Sequence, residues 1–185
     1  DKDRPSAEWI RSLRARFPTE REIDRLLTSR MERRSGPGYT PVALAEMFTA
    51  VEALLRAKLG HQDFTLGDAR WLSGGSSKLQ MAFTLDWDRP GVGREKTAMV
   101  LRMEPAESII ETSRIREYQL IKAFDGRVPV PPLFWCDADA EYLPYPALIY
   151  GFAQGVTKPS AVRPDSGRNE TSGVGIWLPP ELRKQ

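Results

Sequence analysis

Leu79, Met81, Phe83, Leu85 and Trp87 stand at every second position of one uninterrupted stretch, with Lys78, Gln80, Ala82, Thr84 and Asp86 between them. A period of two belongs to extended backbone, so this stretch is a strand with one face in an apolar core. The turn-rich residues 88 to 94 follow, and then the β-branched and apolar run from Thr97 to Met103. Those two runs predict an antiparallel hairpin. A shorter strand is expected from Phe64, and two more from Leu133 to Cys136 and from Ala147 to Phe152. Between the third and fourth, Ser108-Ile109-Ile110-Glu111 reads as a capping box that opens a helix from about Ile109 to Phe124, stopped by Gly126. The expected fold class is α+β: a five-stranded antiparallel sheet with one helix packed on it.

The first sixty residues have a helical period instead. Ser6 caps a helix from Ala7 to Phe17, and Pro18 disfavours its continuation. Thr19-Glu20-Arg21-Glu22 forms a capping box with Thr19 as N-cap, ahead of a stripe of Ile23, Leu26, Leu27 and Met31. Thr40 then caps a third helix starting at Pro41, whose Leu44, Met47, Phe48, Val51, Leu54 and Leu55 recur at helical spacing and which Gly60 closes. The expected division is a helical extension over 1–60, a sheet-bearing lobe over 61–155, and a linker with a following helix start over 156–185. That last part is rich in Gly, Ser and Pro, with Pro179 and Pro180 near its end. The amphipathic helices before Gly60 are expected to form an appendage against the lobe or to pair two copies as a homodimer.

Charge and composition remove several function classes. Among 185 residues, 27 Lys and Arg stand against 25 Asp and Glu, a net charge of +2, so no strong field draws nucleic acid or anionic membrane. The arginines of the first two helices are interleaved with Glu20, Glu22, Asp24 and Glu32, which reads as a solvated face. No apolar run approaches the roughly 20 residues of a membrane span. Cys136 is the lone cysteine and His61 the lone histidine. A disulfide within the chain is thereby excluded, and a reducing, cytoplasmic setting is expected.

Three features carry chemistry. Ser73-Gly74-Gly75-Ser76-Ser77-Lys78 lies between two strands, where flexible glycines let backbone N–H groups close around phosphate oxygens; a plain hairpin turn has the same composition. In the third strand, Arg102 shares a face with Ala98 and Val100. In the helix, Glu117 shares an arc with Ile110, Leu120, Ile121 and Phe124. A charge among apolar neighbours needs a partner, and neither has another counter-ion in its own pattern, so Arg102 and Glu117 are expected to pair. A purely structural ion pair satisfies the same requirement.

In this order the parts resemble the N-lobe of a protein kinase, and specifically the aminoglycoside phosphotransferase family. The strings that carry the likeness are Leu72-Ser73-Gly74-Gly75-Ser76-Ser77, Met99-Val100-Leu101-Arg102-Met103-Glu104-Pro105, Arg116-Glu117-Tyr118-Gln119-Leu120-Ile121, Val128-Pro129-Val130-Pro131, and Pro146-Ala147-Leu148-Ile149-Tyr150 through Gly155. The resemblance implies a kinase-like N-lobe that binds ATP. Gly74, Gly75, Ser76 and Ser77 would cover the phosphates, Arg102 would replace the usual lysine, and Glu117 would hold it. Tyr150, Gly151, Phe152 and Ala153 would be the hinge against the adenine edge, with Val100 beneath the ring. Ser77 stands where the family often has Asn.

The same resemblance assigns the catalytic His-Gly-Asp loop and the Mg²⁺ ligands to a C-lobe, and no histidine follows His61. No catalytic or metal residue is therefore expected in this chain, and Asp137-Ala138-Asp139 reads as a surface turn. The function so implied is the ATP-binding lobe of a kinase acting on a hydroxyl of a small molecule. By itself the chain is expected to be inactive, since Mg²⁺ and the acceptor would be held by the missing lobe. The alternative is a non-catalytic interaction module that uses the lobe as a scaffold.

Overall fold

The computed structural model describes residues 3–37, 40–60, 63–72, 78–105, 108 and 112–153. Residues Asp1–Phe152 form one compact unit and Ala153–Gln185 a second. The linker and helix start expected over 156–185 lie outside the described residues, as does His61.

The helical period of the first third yields α1 (Ala7–Arg16), α2 (Arg21–Arg34) and α3 (Leu44–Leu59). Ser6 caps α1, its hydroxyl accepting from the Trp9 N–H at 3.1 Å. Two starts differ from expectation. The N-cap of α2 is Glu20, whose carboxylate accepts from the N–H groups of Glu22 and Ile23, because the side chain of Glu22 is engaged elsewhere. In α3 the helix begins after Ala43, whose N–H donates to Glu46 Oε2, so Thr40 and Pro41 precede it. Gly60 closes α3.

Alternation produces β1 (Phe64–Trp71), β2 (Leu79–Arg89) and β3 (Gly93–Met103), followed by α4 (Arg114–Phe124), β4 (Leu133–Asp137) and β5 (Ala147–Gly151). The strands form one sheet, every pairing antiparallel, in the order β1-β2-β3-β5-β4. The expected five-stranded antiparallel sheet is therefore present. The β2–β3 hairpin is tighter than the turn-rich sequence suggests, pairing Arg89 with Gly93. Gly91 and Gly93 take φ of 77° and 98°, which L side chains rarely adopt, and this lets the strands reverse over three residues.

One sheet face carries Met81, Phe83, Leu85, Trp87, Met99, Leu101, Met103 and Ile149, and it packs against Met47, Val51, Leu54 and Leu55 of α3. All four α3 residues are fully buried, so this helix is part of the core and its apolar stripe is not free to meet a partner. In α2 the stripe residues Ile23 and Leu27 stand in solvent. No helix among the described residues is long and apolar enough to cross a membrane.

The opposite sheet face holds the rows Ala82–Val100–Tyr150 and Gln80–Arg102–Leu148. Against β4 and β5 lies α4. It is shorter than expected. Ser113 is its N-cap and accepts from the Arg116 N–H at 3.2 Å, while the Ser108 hydroxyl accepts from Lys78 Nζ at 3.1 Å. Residues 109–111 lie outside the described residues. The expected apolar arc is also incomplete, for Leu120 and Phe124 are exposed.

Candidate functional site

A cation reaches the α4 side of the sheet because strand alternation sends Met99, Leu101 and Met103 into the core and Arg102 the other way. There Arg102 Nη1 donates to Glu117 Oε1, one turn into α4. The expected pair is formed. Both side chains keep some water, 30% and 22% of their surface, so they border the core and are not sealed inside it. Val100 is buried beside Arg102, along with Ala82 and Leu148, which gives the cation an apolar surround on its own sheet face.

The expectation that Glu117 has no other counter-ion is overturned. Its Oε2 lies 2.7 Å from Arg114 Nη1, three residues earlier on the helix. Arg114 is completely buried, and its Nη2 reaches Glu104 Oε2 at 3.1 Å. Glu104, just past β3, in turn takes Lys78 Nζ at 2.5 Å. The result is a chain of alternating charge, Lys78, Glu104, Arg114, Glu117, Arg102, that runs from just before β2 to the end of β3 by way of α4. Thr112 fills it in, donating to Glu104 Oε2 and accepting from Arg114 Nη2. Burial pulls the Arg114 pKa down while the two carboxylates hold it up. Sequence reading missed Arg114, Glu104 and Lys78. The signals available were the i, i+3 spacing of Arg114 to Glu117 and the acid placed directly after a core strand.

Outside this chain, α2 is fastened to the start of α4. The Ser113 hydroxyl donates to Glu22 Oε1 at 2.5 Å, and Arg116 pairs with Glu20. Arg25 donates two hydrogen bonds to Glu22, and these, with Ser113, hold the Glu22 carboxyl at about 2. Between the helices opens a groove of about 460 Å³, lined by the apolar Ile23, Leu26 and Leu120 and by Arg102 and Glu117.

The remaining candidates divide. Gly74, Gly75, Ser76 and Ser77 lie outside the described residues. Tyr150 is half-buried on the Arg102 side; burial raises its phenol pKa, and Arg102 opposes that rise. The Gly151 N–H donates to the Pro132 carbonyl at 2.7 Å and the Phe152 N–H to the Ala98 carbonyl at 2.8 Å, so both amides are spent within the lobe. A Cβ at Gly151 would lie 3.2 Å from Pro132 Cδ, so packing alone accounts for that glycine. Ala153 belongs to the second unit.

Asp137 accepts from the N–H groups of Glu141, Tyr142 and Leu143 at 2.8, 3.0 and 3.0 Å, a turn-forming role. Asp139 is exposed, 3.7 Å from Arg25. Among the described residues there is no group of three or more His, Cys, Asp or Glu side chains that could hold a metal ion. Burial pushes the Cys136 thiol up to about 11, which leaves it an unreactive neutral group at neutral pH.

No protein-family model matches the chain, and no curated protein matches it. The functional reading therefore stands on residues and geometry.

Proposed function

We propose that residues 61–155 are the nucleotide-binding lobe of an ATP-dependent small-molecule phosphotransferase, with a kinase-like N-lobe similar to that of the aminoglycoside phosphotransferase family. The observation that carries this reading is the Arg102–Glu117 pair, which joins the third strand of an antiparallel sheet to the following helix. A cation held there by a helix carboxylate is placed to neutralise phosphate oxygens, the chief protein contribution in phosphoryl transfer. Val100, Ala82 and Leu148 supply a buried apolar floor for an adenine ring. Gly74 to Ser77 would close over the phosphates with backbone N–H groups. Of the hinge segment, the Gly151 and Phe152 amides are already bonded, so the adenine edge would be met by backbone carbonyls. Mg²⁺, the catalytic base and the pocket for the acceptor hydroxyl would come from a C-lobe outside these residues.

The test is a MgATP titration of the ¹⁵N-labelled chain. Weak binding is expected, with shifts centred on Val100, Arg102 and Tyr150 that need about tenfold more ATP in Arg102→Ala, and with no phosphoryl transfer. Binding that is absent at millimolar ATP, or that is indifferent to Arg102, overturns the reading.

A second reading, an interaction module built on the same lobe, has one observation in its favour. Ile23, Leu27, Leu120 and Phe124 are exposed on α2 and α4. Arg102-dependent ATP binding separates the two readings, because a scaffold has no need of it.

A further inference from the structure

On the nucleotide-lobe reading, on which this proposal rests, we propose that Arg114 is the positioning residue of the site: it fixes the Glu117 carboxylate so that Arg102 is presented to the phosphates, and it links that carboxylate through Glu104 to Lys78, the residue directly after the glycine-rich segment.

The geometry is specific. Arg114 has none of its side-chain surface in solvent, whereas Arg102 keeps 30%. A guanidinium stripped of water is expensive to bury, and it stays charged because its pKa is so high. Glu104 Oε2 at 3.1 Å and Glu117 Oε2 at 2.7 Å balance its charge as ion pairs, while its Nη2 donates to Thr112 and its Nη1 and Nε are buried without a hydrogen-bond partner. Glu117 then has one oxygen on an immobile buried cation. Rotating the carboxylate would break that contact, so Oε1 is left facing Arg102. Arg102 pairs with Glu117, whereas Arg114 pairs with both Glu104 and Glu117. The orientation of the half-buried cation is thus set by the fully buried one. Glu104 extends the constraint to Lys78, 26 residues earlier in sequence, and so ties the strand that leaves residues 73–77 to the helix that carries Glu117.

Nitrogen-15 arginine spectra of the whole 185-residue chain test this, with the Arg102 signals assigned by their loss in Arg102→Lys. Restricted rotation of the Arg102 guanidinium is expected in the wild type and free rotation in Glu117→Gln. Arg114→Met should free Arg102 as well, with the backbone amides of β3 and α4 unmoved, and Arg114→Lys should restore part of the restriction. A folded Arg114→Met whose Arg102 signals match the wild type overturns the proposal. If Arg114→Met does not fold, Glu104→Gln decides by the same readout: partial release of Arg102 supports the proposal, and no release overturns it.

MgATP titrations of the same samples keep this proposal apart from the functional reading. Arg102→Ala should weaken ATP binding about tenfold. Unchanged ATP affinity in Arg102→Ala, with Arg102 still released by Arg114→Met, sinks the nucleotide reading and leaves the positioning role standing. ATP binding that needs Arg102 while Arg102 ignores Arg114 does the reverse.

Discussion

Arg102 of β3 and Glu117 of α4 are joined across the junction of sheet and helix, and the carboxylate oxygen not used by Arg102 lies 2.7 Å from Arg114. The three side chains differ in burial, and so in what their removal should cost. A double-mutant cycle on Arg102→Ala and Glu117→Gln should return a coupling of about 1 kcal/mol, since both groups retain water. Arg114→Met leaves two carboxylates without their buried cation and should cost about 3–5 kcal/mol. Urea midpoints measure both, and an Arg114→Met variant less destabilised than Arg102→Ala would contradict the burial order.

Stability should also respond to acid through Glu22. Its carboxyl titrates at about 2 in the folded chain against 4.5 as the ordinary value, so the folded state favours the charged form. The contribution is therefore complete above about pH 4.5 and is lost as pH falls from there toward 2. Solvent screening limits it to about 1 kcal/mol. Urea midpoints of wild type and Glu22→Gln should differ at pH 6 and converge near pH 2. A gap that widens on acidification would reverse the sign and sink the account.

The α3 helix offers a test of domain independence. Met47 and Leu54 are fully buried in the same cluster as the sheet. Truncating either to Ala should cost about 2–5 kcal/mol, and the loss should appear in one cooperative transition followed by helix and sheet signals alike. Two separated transitions would mean that the helical stretch is an appendage after all.

For Asp137, the three backbone donors it satisfies predict a structural phenotype. Asp137→Ala should destabilise by about 1–3 kcal/mol, because amides near the core lose their acceptor. Added Mg²⁺ should leave the melting temperature of both wild type and variant unchanged; a Mg²⁺-dependent rise that is lost in the variant would restore a metal role.

What the sequence disclosed and what it hid follow from the range of the forces involved. The alternation of Leu79 through Trp87 is a local pattern with one geometric solution, and the sheet was legible from it. Arg102 and Glu117 were legible as a pair because each is a charge set among apolar neighbours. The start of α4 was not, since Ser108 and Ser113 are both acceptable caps and the choice falls to Lys78, which takes the Ser108 hydroxyl. Glu22 was misread for a similar reason. Its local geometry suits a capping box, but Ser113, 91 residues away, engages its carboxylate instead. Arg114 gave no hint of complete burial, because that depends on Glu104 arriving from the end of another strand.

The placement of β5 between β3 and β4 has a consequence for biosynthesis. Of these five strands, the one that covers the second edge of β3 is synthesised after the other four. Until residue 151 has emerged, the β3 edge presents open hydrogen-bonding groups beside Met99, Leu101 and Met103, and β4 has no neighbour to join. Such an edge is a template for pairing with other nascent chains. Fragments ending at 145 should therefore aggregate at micromolar concentration where fragments ending at 153 stay monodisperse in light scattering, and equal behaviour of the two would show that the edge is protected by other means. Translation through the stretch from β3 to β5 is the interval in which this sheet is most open to such pairing.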